Sequence, residues 1–159
     1  MYRILSASKD TYITNRIVAS NFRATDANVG KAATLDLFKL YDESVSGSSP
    51  AKENSRILVK FDLSKARDMH RLGLIDITDS SFQVKLHLKD VYGGQTTPNN
   101  YKIIVFPLAK NFEEGIGRDI VRYADVDVAN YVTSSFSNSQ AILWNLPGGM
   151  KSGSLEESN

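Results

Sequence analysis

The sequence contains no cysteine among its 159 residues. This absence excludes a disulfide framework, a thiolate metal site and a cysteine nucleophile, and it leaves the redox compartment open. Long apolar runs are missing too, since no stretch approaches the roughly 20 residues that cross a bilayer. The first residues, MYRILSASKD, lack the apolar core of a signal peptide. We therefore expect no membrane contact, and synthesis in a cytoplasm without cleavage.

An excess of charge of one sign is also absent, because 19 Lys and Arg residues face 18 Asp and Glu residues. No global charge therefore attracts nucleic acid. Locally, Lys85, Lys89 and Lys102 with Tyr92 and Tyr101 are the residue types of a stacking platform for bases. The balanced net charge argues against that use, so nucleic acid is not an expected partner.

What the sequence does contain is one clear strand pattern at residues 55–64, SRILVKFDLS. Ile57, Val59, Phe61 and Leu63 fall on one face at a period of two, and charged residues fall on the other. This alternation predicts a central β-strand with one buried face, around which the rest of the chain is organised.

Further segments predict a mostly β fold. Residues 64–73 predict a short helix with Ser64 as its N-cap and Gly73 at its end. The other expected strands lie at residues 2–5, 11–14, 34–40 (buried on both faces), 81–89, 101–108 and 141–144. We predict an all-β antiparallel β-sandwich of jelly-roll type with one or two short helices. It forms a single domain at residues 1–149 with a long loop at 42–54, followed by a polar tail at 150–159.

The sequence shows no catalytic constellation, and no enzymatic activity is expected. Glu113 and Glu114 are adjacent, but neighbours in an extended chain point apart, so we expect a solvated loop rather than an acid–base pair. A lyase or hydrolase would need a pocket that joins Tyr, Lys or His with carboxylates. Lys85, His87 and Tyr101 are the one grouping of this kind.

Two sets of oxygen ligands are candidates for a cation. Asp125 and Asp127 place two carboxylates on one face of an extended segment and form the first metal hypothesis. Asp10, Asp26 and Asn28 near the first strands form the second, as a structural calcium site. Neither set has the further ligands of a recognisable loop, so no cofactor is expected beyond such a structural calcium ion.

Several aromatic residues have two interpretations. Tyr92, Tyr101 and Tyr123, if exposed, are candidates for stacking on sugar rings. Trp144 fits such stacking and core packing equally well. Phe22 is expected to pin an irregular loop to the core.

Four motifs occur in a familiar order: KDTYI at residues 9–13, NVG at 28–30, LDL at 35–37 and SRILVKFDLS at 55–64. This order is similar to the front half of DNRLRE-type (disaggregatase-related) jelly-roll modules, which carry ADTYI, N-x-G and SR-x-LLKFDLS. The resemblance spans roughly residues 9–146, and the motif from Arg56 to Ser64 is its most specific part.

The resemblance implies a carbohydrate-binding-module-like sandwich used as a structural or adhesive unit without catalytic residues. The chain looks most like versions that serve as virion structural proteins of tailed phages. The resemblance implies that the protein is a head decoration protein or a tail or collar component. In that role it contacts other virion chains, either as a homo-oligomer or within a large assembly. The alternative is a glycan-binding module.

The virion hypothesis places interface residues in the long loop and in the tail. They are Ser44, Ser48, Pro50, Lys151 and Leu155. In one respect the chain departs from the family, whose modules run past the Trp and Gly-Gly region into a closing strand. Here only the tail follows, so either a neighbouring chain supplies that edge or the sandwich stays open.

Overall fold

The computed structural model describes residues 2–18, 22–41, 53–91, 102–122 and 128–150. In these ranges the structure consists mostly of strands in small antiparallel sheets, with one α-helix, so the predicted β-rich class is confirmed. The strands are β1 (Ala7–Thr14), β2 (Ile17–Val18), β3 (Phe22–Arg23), β4 (Lys39–Leu40), β5 (Glu53–Phe61), β6 (Thr133–Ser137) and β7 (Gln140–Leu143). The helix α1 (Ser64–Arg71) follows β5, and a 3-10 turn, Pro147–Gly149, follows β7.

Strand β5 is the middle strand of a three-stranded sheet with the order β1-β5-β4. It pairs antiparallel with β4, where Lys39 lies opposite Asn54. On the other side, Ser8 Oγ donates to the Lys60 carbonyl at 3.0 Å and the Asn15 amide donates to the Asn54 carbonyl at 3.3 Å. Contacts between opposite ends of the two strands show that β1 also runs antiparallel to β5. The predicted central strand is therefore confirmed.

Both faces of this sheet are covered, which corrects the expectation of one buried face. The consecutive residues Tyr12 and Ile13 point to opposite faces of β1, and they belong to separate buried clusters. The first cluster contains Tyr12, Ala24, Ala27, Val29 and Ile120. The second contains Ile13, Leu58, Phe112, Ala129 and Trp144. Ile57 packs against the first cluster and Leu58 lies in the second, so β5 separates two small cores.

The predicted strand at residues 34–40 is mostly wrong, because only Lys39–Leu40 forms a strand. Leu37 and Leu40 are exposed, so burial on both faces is wrong as well. The cause lies in Ser55 of β5. Its hydroxyl donates to the Asp36 carbonyl at 2.6 Å and accepts from the Phe38 amide at 2.9 Å. The Ser55 amide still donates to the Phe38 carbonyl at 3.0 Å, but the hydroxyl takes the next backbone groups of this stretch, so the regular ladder ends there.

The helix α1 is confirmed, but its predicted N-cap is wrong. Ser64 is the first helical residue, and Leu63 occupies the cap position without a side-chain cap hydrogen bond. Asp62 provides a local substitute, because its Oδ1 accepts from the Ser64 amide at 2.9 Å. That hydrogen bond holds the pKa of the exposed Asp62 carboxyl below its usual value.

Gly73 ends the helix as the sequence predicts. Its φ of 70° lies in the left-handed region, which glycine enters without a steric penalty. The Gly73 amide donates to the His70 carbonyl and the Leu74 amide donates to the Met69 carbonyl, both at 2.9 Å. These are the two bonds of a Schellman motif, which satisfies carbonyls at the helix end. No helix among the described residues is long and apolar enough to cross a membrane.

Strands β6 and β7 form a hairpin that the sequence predicts only in part. The expected strand at residues 141–144 is confirmed as β7, whereas its partner β6 was not predicted. Asn138 and Ser139 connect them with φ angles of 51° and 63°, which is the signature of a type I′ turn. Ser134 is an extra residue in the ladder, and its Oγ donates to the Ile142 carbonyl at 2.9 Å.

The chain divides into two compact groups. The core group is Ala7–Lys60 with Leu108–Asn159, and the helix group is Met1–Ser6 with Phe61–Pro107. Every buried apolar side chain of the described residues belongs to the core group. In the helix group, none of residues 82–90 and 102–107 belongs to a strand, so the strands predicted at 81–89 and 101–108 are wrong over these residues. The single β-sandwich domain stays a prediction.

Candidate functional site

The three tyrosines proposed for glycan stacking, the first pair of metal candidates and the five interface candidates fall outside the described residues. They are Tyr92, Tyr101, Tyr123, Asp125, Asp127, Ser44, Ser48, Pro50, Lys151 and Leu155. Their roles stay predictions. The structure does describe the alternative aromatic and calcium candidates, and it corrects several of them.

The structure decides between the two interpretations of Trp144 and corrects the one given for Phe22. Trp144 is 7% exposed, and its Nε1 donates to the Asn130 carbonyl at 2.8 Å. Since its ring lies in the core, stacking of Trp144 on a sugar is wrong. Phe22 is 51% exposed in β3, so its predicted role of pinning a loop to the core is also wrong.

Asn28 is fully buried, and backbone groups use its whole side-chain amide. Its Nδ2 donates to the Glu114 and Ala129 carbonyls, both at 2.8 Å. Its Oδ1 accepts from the Gly117 amide at 2.9 Å and from the Gly30 amide at 3.3 Å. These four bonds, which we call the Asn28 clasp, leave no amide oxygen for a cation. The calcium hypothesis is therefore wrong for Asn28.

Glycine at two positions lets the backbone approach close enough to form the Asn28 clasp. A Cβ on Gly117 would collide with the backbone carbonyl of Asn28, and a Cβ on Gly30 would collide with that of Glu114. Neither contact involves a flexible side chain that could move away. Gly117 therefore serves the close packing of two backbone segments.

Glu114 joins the same region through its carboxylate, which corrects the solvated-loop prediction. Its Oε2 lies 3.3 Å from Lys31 Nζ, and its Oε1 accepts from the Asp10 amide at 3.0 Å. The neighbouring Glu113 uses its Oε2 for the Phe136 amide at 3.3 Å. Because the two carboxylates bind different partners and both are partly buried, they hold loops and strands in place.

Metal ligation has no further support in the described part of the chain. These residues contain no group of three or more His, Cys, Asp or Glu side chains that could hold a metal ion. Asp125 and Asp127 lie outside that search.

Tyr12 is the ionisable residue that the fold perturbs most clearly. Burial and, after it, the negative charge of Asp36 raise the pKa of the Tyr12 phenol to about 12. Its Oη lies 3.5 Å from Asp36 Oδ2. The phenol thus stays protonated at neutral pH and serves as a hydrogen-bond donor, a role that fits structure better than base catalysis.

The strongest surface feature is a set of exposed apolar side chains in the helix group. Val84 is 84% exposed and Val91 is 72% exposed, and Leu86 and Leu88 are also exposed. Further exposed members are Tyr2, Ile4, Leu72, Leu74, Ile77, Phe82, Ile103, Ile104 and Val105. Large exposed apolar surfaces mark binding sites for other molecules. These exposed side chains of the helix group are therefore the candidate functional surface of the described residues.

Comparison with known proteins adds no assignment. No family model, no curated protein and no solved structure matches the chain. The resemblance to DNRLRE-type modules therefore stays a prediction from sequence motifs.

Proposed function

We propose that the chain is a non-enzymatic structural protein of a tailed-phage virion, built on a jelly-roll sandwich, that acts through contacts with other protein chains. The motifs of residues 9–13 and 55–64 support the jelly roll and the virion context through their resemblance. The exposed apolar side chains of the helix group support the protein contacts. That exposed surface is the observation on which the proposal depends.

Solvation of this surface is costly, which is why a partner chain is expected to cover it. Removal of apolar surface from water stabilises a complex by roughly 25 cal/mol per Å². The helix α1 contains no buried residue, and residues such as Val84 and Val105 remain in water. A side chain left exposed in the isolated chain gains this free energy when a partner covers it.

The described polar clusters support a structural role rather than catalysis. Asn28 and Glu114 use their polar atoms to bind backbone groups, and Tyr12 keeps its proton at neutral pH. None of these groups presents a free nucleophile or a poised base. A glycan-binding role depends on Tyr92, Tyr101 and Tyr123, which are not described, so it enters only as an outcome of the test.

The proposal is tested on phage particles purified by density gradient from cells that carry the gene. Quantitative mass spectrometry should find the chain at a constant copy number relative to the major capsid protein, and immunogold labelling should mark one part of the particle. A host cytoplasmic protein of similar abundance is the control for contamination. Absence of the chain from purified particles would refute the proposal. Absence combined with specific binding on a polysaccharide array would favour the glycan-binding module.

A further inference from the structure

We propose that residues 82–90 form a self-complementary strand that pairs antiparallel with the same residues of a second copy, centred on Leu86. This inference rests on the proposed function, because it names the partner for part of the exposed apolar surface. It goes further by specifying the segment, the direction of pairing and the register.

The segment has the pattern of a strand but no strand partner among the described residues. Phe82, Val84, Leu86 and Leu88 alternate with polar residues, and all four are exposed. None of residues 82–90 is assigned to a strand or a helix. Such a segment can add to another strand, which pairs its backbone groups and covers its apolar face.

The apolar face favours a second copy as that strand. Directly opposite residues of an antiparallel pair share one face. With Leu86 opposite its own counterpart, Val84 lies opposite Leu88 in both halves of the pair. Phe82 then lies opposite Asp90 at each end. All three central contacts on this face are apolar, which a two-fold symmetric interface repeats on each side.

The charged face selects the same register. With Leu86 at the centre, Lys85 lies opposite His87 and Lys89 lies opposite Gln83. If Lys85 were the centre, it would face its own copy, and if His87 were the centre, Lys85 would face Lys89. Like charges directly opposite each other destabilise a strand pair. Parallel in-register pairing would also stack each lysine on its own copy.

Registers shifted by a single residue are excluded by the alternation. Pairing Leu86 with Lys85 would place the apolar side chains of one copy on the same face as the lysines of the other. A pair centred on Val84 also has three apolar contacts, but it would place residues 87–90 opposite residues 78–81, which form a turn. A pair centred on Leu88 would place Leu86 opposite Asp90. The Leu86-centred register is the one that pairs all of residues 82–90 with each other without opposed lysines.

The lack of cysteine allows a direct test of this register. Opposite residues in an antiparallel pair have Cα atoms about 4.5–5.5 Å apart, within the range that a disulfide bridges. The Leu86→Cys variant of the full chain should therefore form a covalent dimer under mild oxidation. In the Val84→Cys variant, the two cysteines lie four residues apart along the pair, roughly 13 Å, so it should stay mostly monomeric on a non-reducing gel. A mixture of Val84→Cys and Leu88→Cys chains should give the mixed dimer.

Light scattering on the cysteine-free chain gives the matching equilibrium measurement. We expect a mass that rises with concentration from 17.6 kDa toward twice that value. Leu86→Lys should lower the association constant at least about tenfold, because it opposes two lysines at the centre. Ile77→Lys is the matched control, since Ile77 is 47% exposed and Leu86 is 45% exposed in the same group. Circular dichroism establishes that each variant folds.

Three outcomes would overturn the inference: a monomer at every concentration, no cross-linking of Leu86→Cys, or equal cross-linking of Val84→Cys. A larger assembly without the Leu86 cross-link would overturn it as well. Its failure is separable from failure of the proposed function. If the chain is monomeric in solution but present in purified virions, only the proposed strand pairing is refuted. If it is a dimer in solution but absent from virions, only the proposed virion role is refuted.

Discussion

Asn28 connects several backbone segments that are far apart in the sequence. Its amide bonds join residues 86 and 101 positions away in the sequence, Glu114 and Ala129. The side chain is fully buried, so loss of the amide would leave carbonyl and amide groups without partners. An unpaired buried polar group costs about 1–3 kcal/mol. Asn28 is therefore expected to contribute more to stability than any exposed polar residue.

We predict that Asn28→Ala lowers the free energy of unfolding by about 3–5 kcal/mol, because several backbone groups of the Asn28 clasp lose their partners together. Urea unfolding followed by circular dichroism measures the change. Asn111→Ala is the control, since Asn111 is exposed and its Oδ1 accepts from Lys60 Nζ at 3.1 Å. Its effect should stay within about 0.5 kcal/mol. Equal effects of the two substitutions would contradict the structural role of Asn28.

The raised pKa of Tyr12 leads us to predict that the folded chain loses stability at high pH. Its pKa is raised from 10.0 to about 12 in the folded chain, so the folded state keeps a proton that the unfolded state loses. The contribution is fully present below pH 10 and disappears as pH rises toward 12. The Tyr12→Phe variant should therefore lose less stability than the wild type across this interval in urea titrations. Tyr2→Phe, at a position that is 88% exposed, should keep the wild-type slope, and identical slopes in all three proteins would refute the assignment.

Some residue roles depend on neighbours in the sequence, and others depend on contacts with residues far away in the sequence. Gly73 could be predicted as the helix end because a left-handed residue after a helix is a local requirement. The role of Asn28 could not be predicted, since its partners lie far away in sequence and no spacing rule connects them. Glu114 was misplaced in a solvated loop for the same reason, because its contacts to Lys31 and Asp10 depend on the tertiary fold.

At the scale of elements, the hairpin of β6 and β7 offers the clearest prediction. Ser139 has a φ of 63°, a conformation that costs an L-residue about 1–2 kcal/mol and glycine far less. Glycine loses more entropy on folding, which offsets part of the gain. Ser139→Gly should thus raise the free energy of unfolding by up to about 1 kcal/mol, measured by urea unfolding.

The matched substitution at the same turn position is Ser139→Val. A β-branched residue tolerates a positive φ poorly, so we expect destabilisation by more than about 1 kcal/mol. Ser135→Gly, in the middle of β6, should destabilise because glycine weakens strand interiors. If both glycine substitutions stabilised the protein, the effect of Ser139→Gly could not be attributed to the positive φ of the turn.

Periodicity predicted some elements and failed for others for one physical reason. The alternation is cleaner in residues 81–89 than in residues 55–64, where Leu58 interrupts the polar face, yet only the second of these stretches forms a strand, as β5. A period of two shows that a segment fits a sheet, but the strand forms only where β1 and β4 supply hydrogen-bonding partners on both sides. Sequence alternation does not identify the strand that pairs with such a segment, nor whether that strand belongs to the same chain or to another one.

At the scale of the whole molecule, the buried apolar residues are distributed unevenly. The core group contains both clusters on the two faces of the β1-β5-β4 sheet. Within its described residues, the helix group has no buried side chain. The sequence predicted the β-rich class correctly but distributed its apolar residues over a single core, because composition does not reveal which apolar residues pack together.

This uneven distribution predicts a matching difference in amide hydrogen exchange. Amides of β1 and β5 beside Ile13 and Leu58 lie between two buried clusters, so they should exchange only on global unfolding. Amides of residues 83–90, which belong to no helix or strand, should exchange at least about a hundredfold faster in dilute solution, a difference of roughly 2.8 kcal/mol in opening free energy. Exchange measured by mass spectrometry on peptides from the intact chain tests this, with α1 as an internal reference of intermediate protection. If residues 83–90 were as protected as β5 in a dilute monomer, they would be paired within their own chain, and the exposed surface would no longer support a partner.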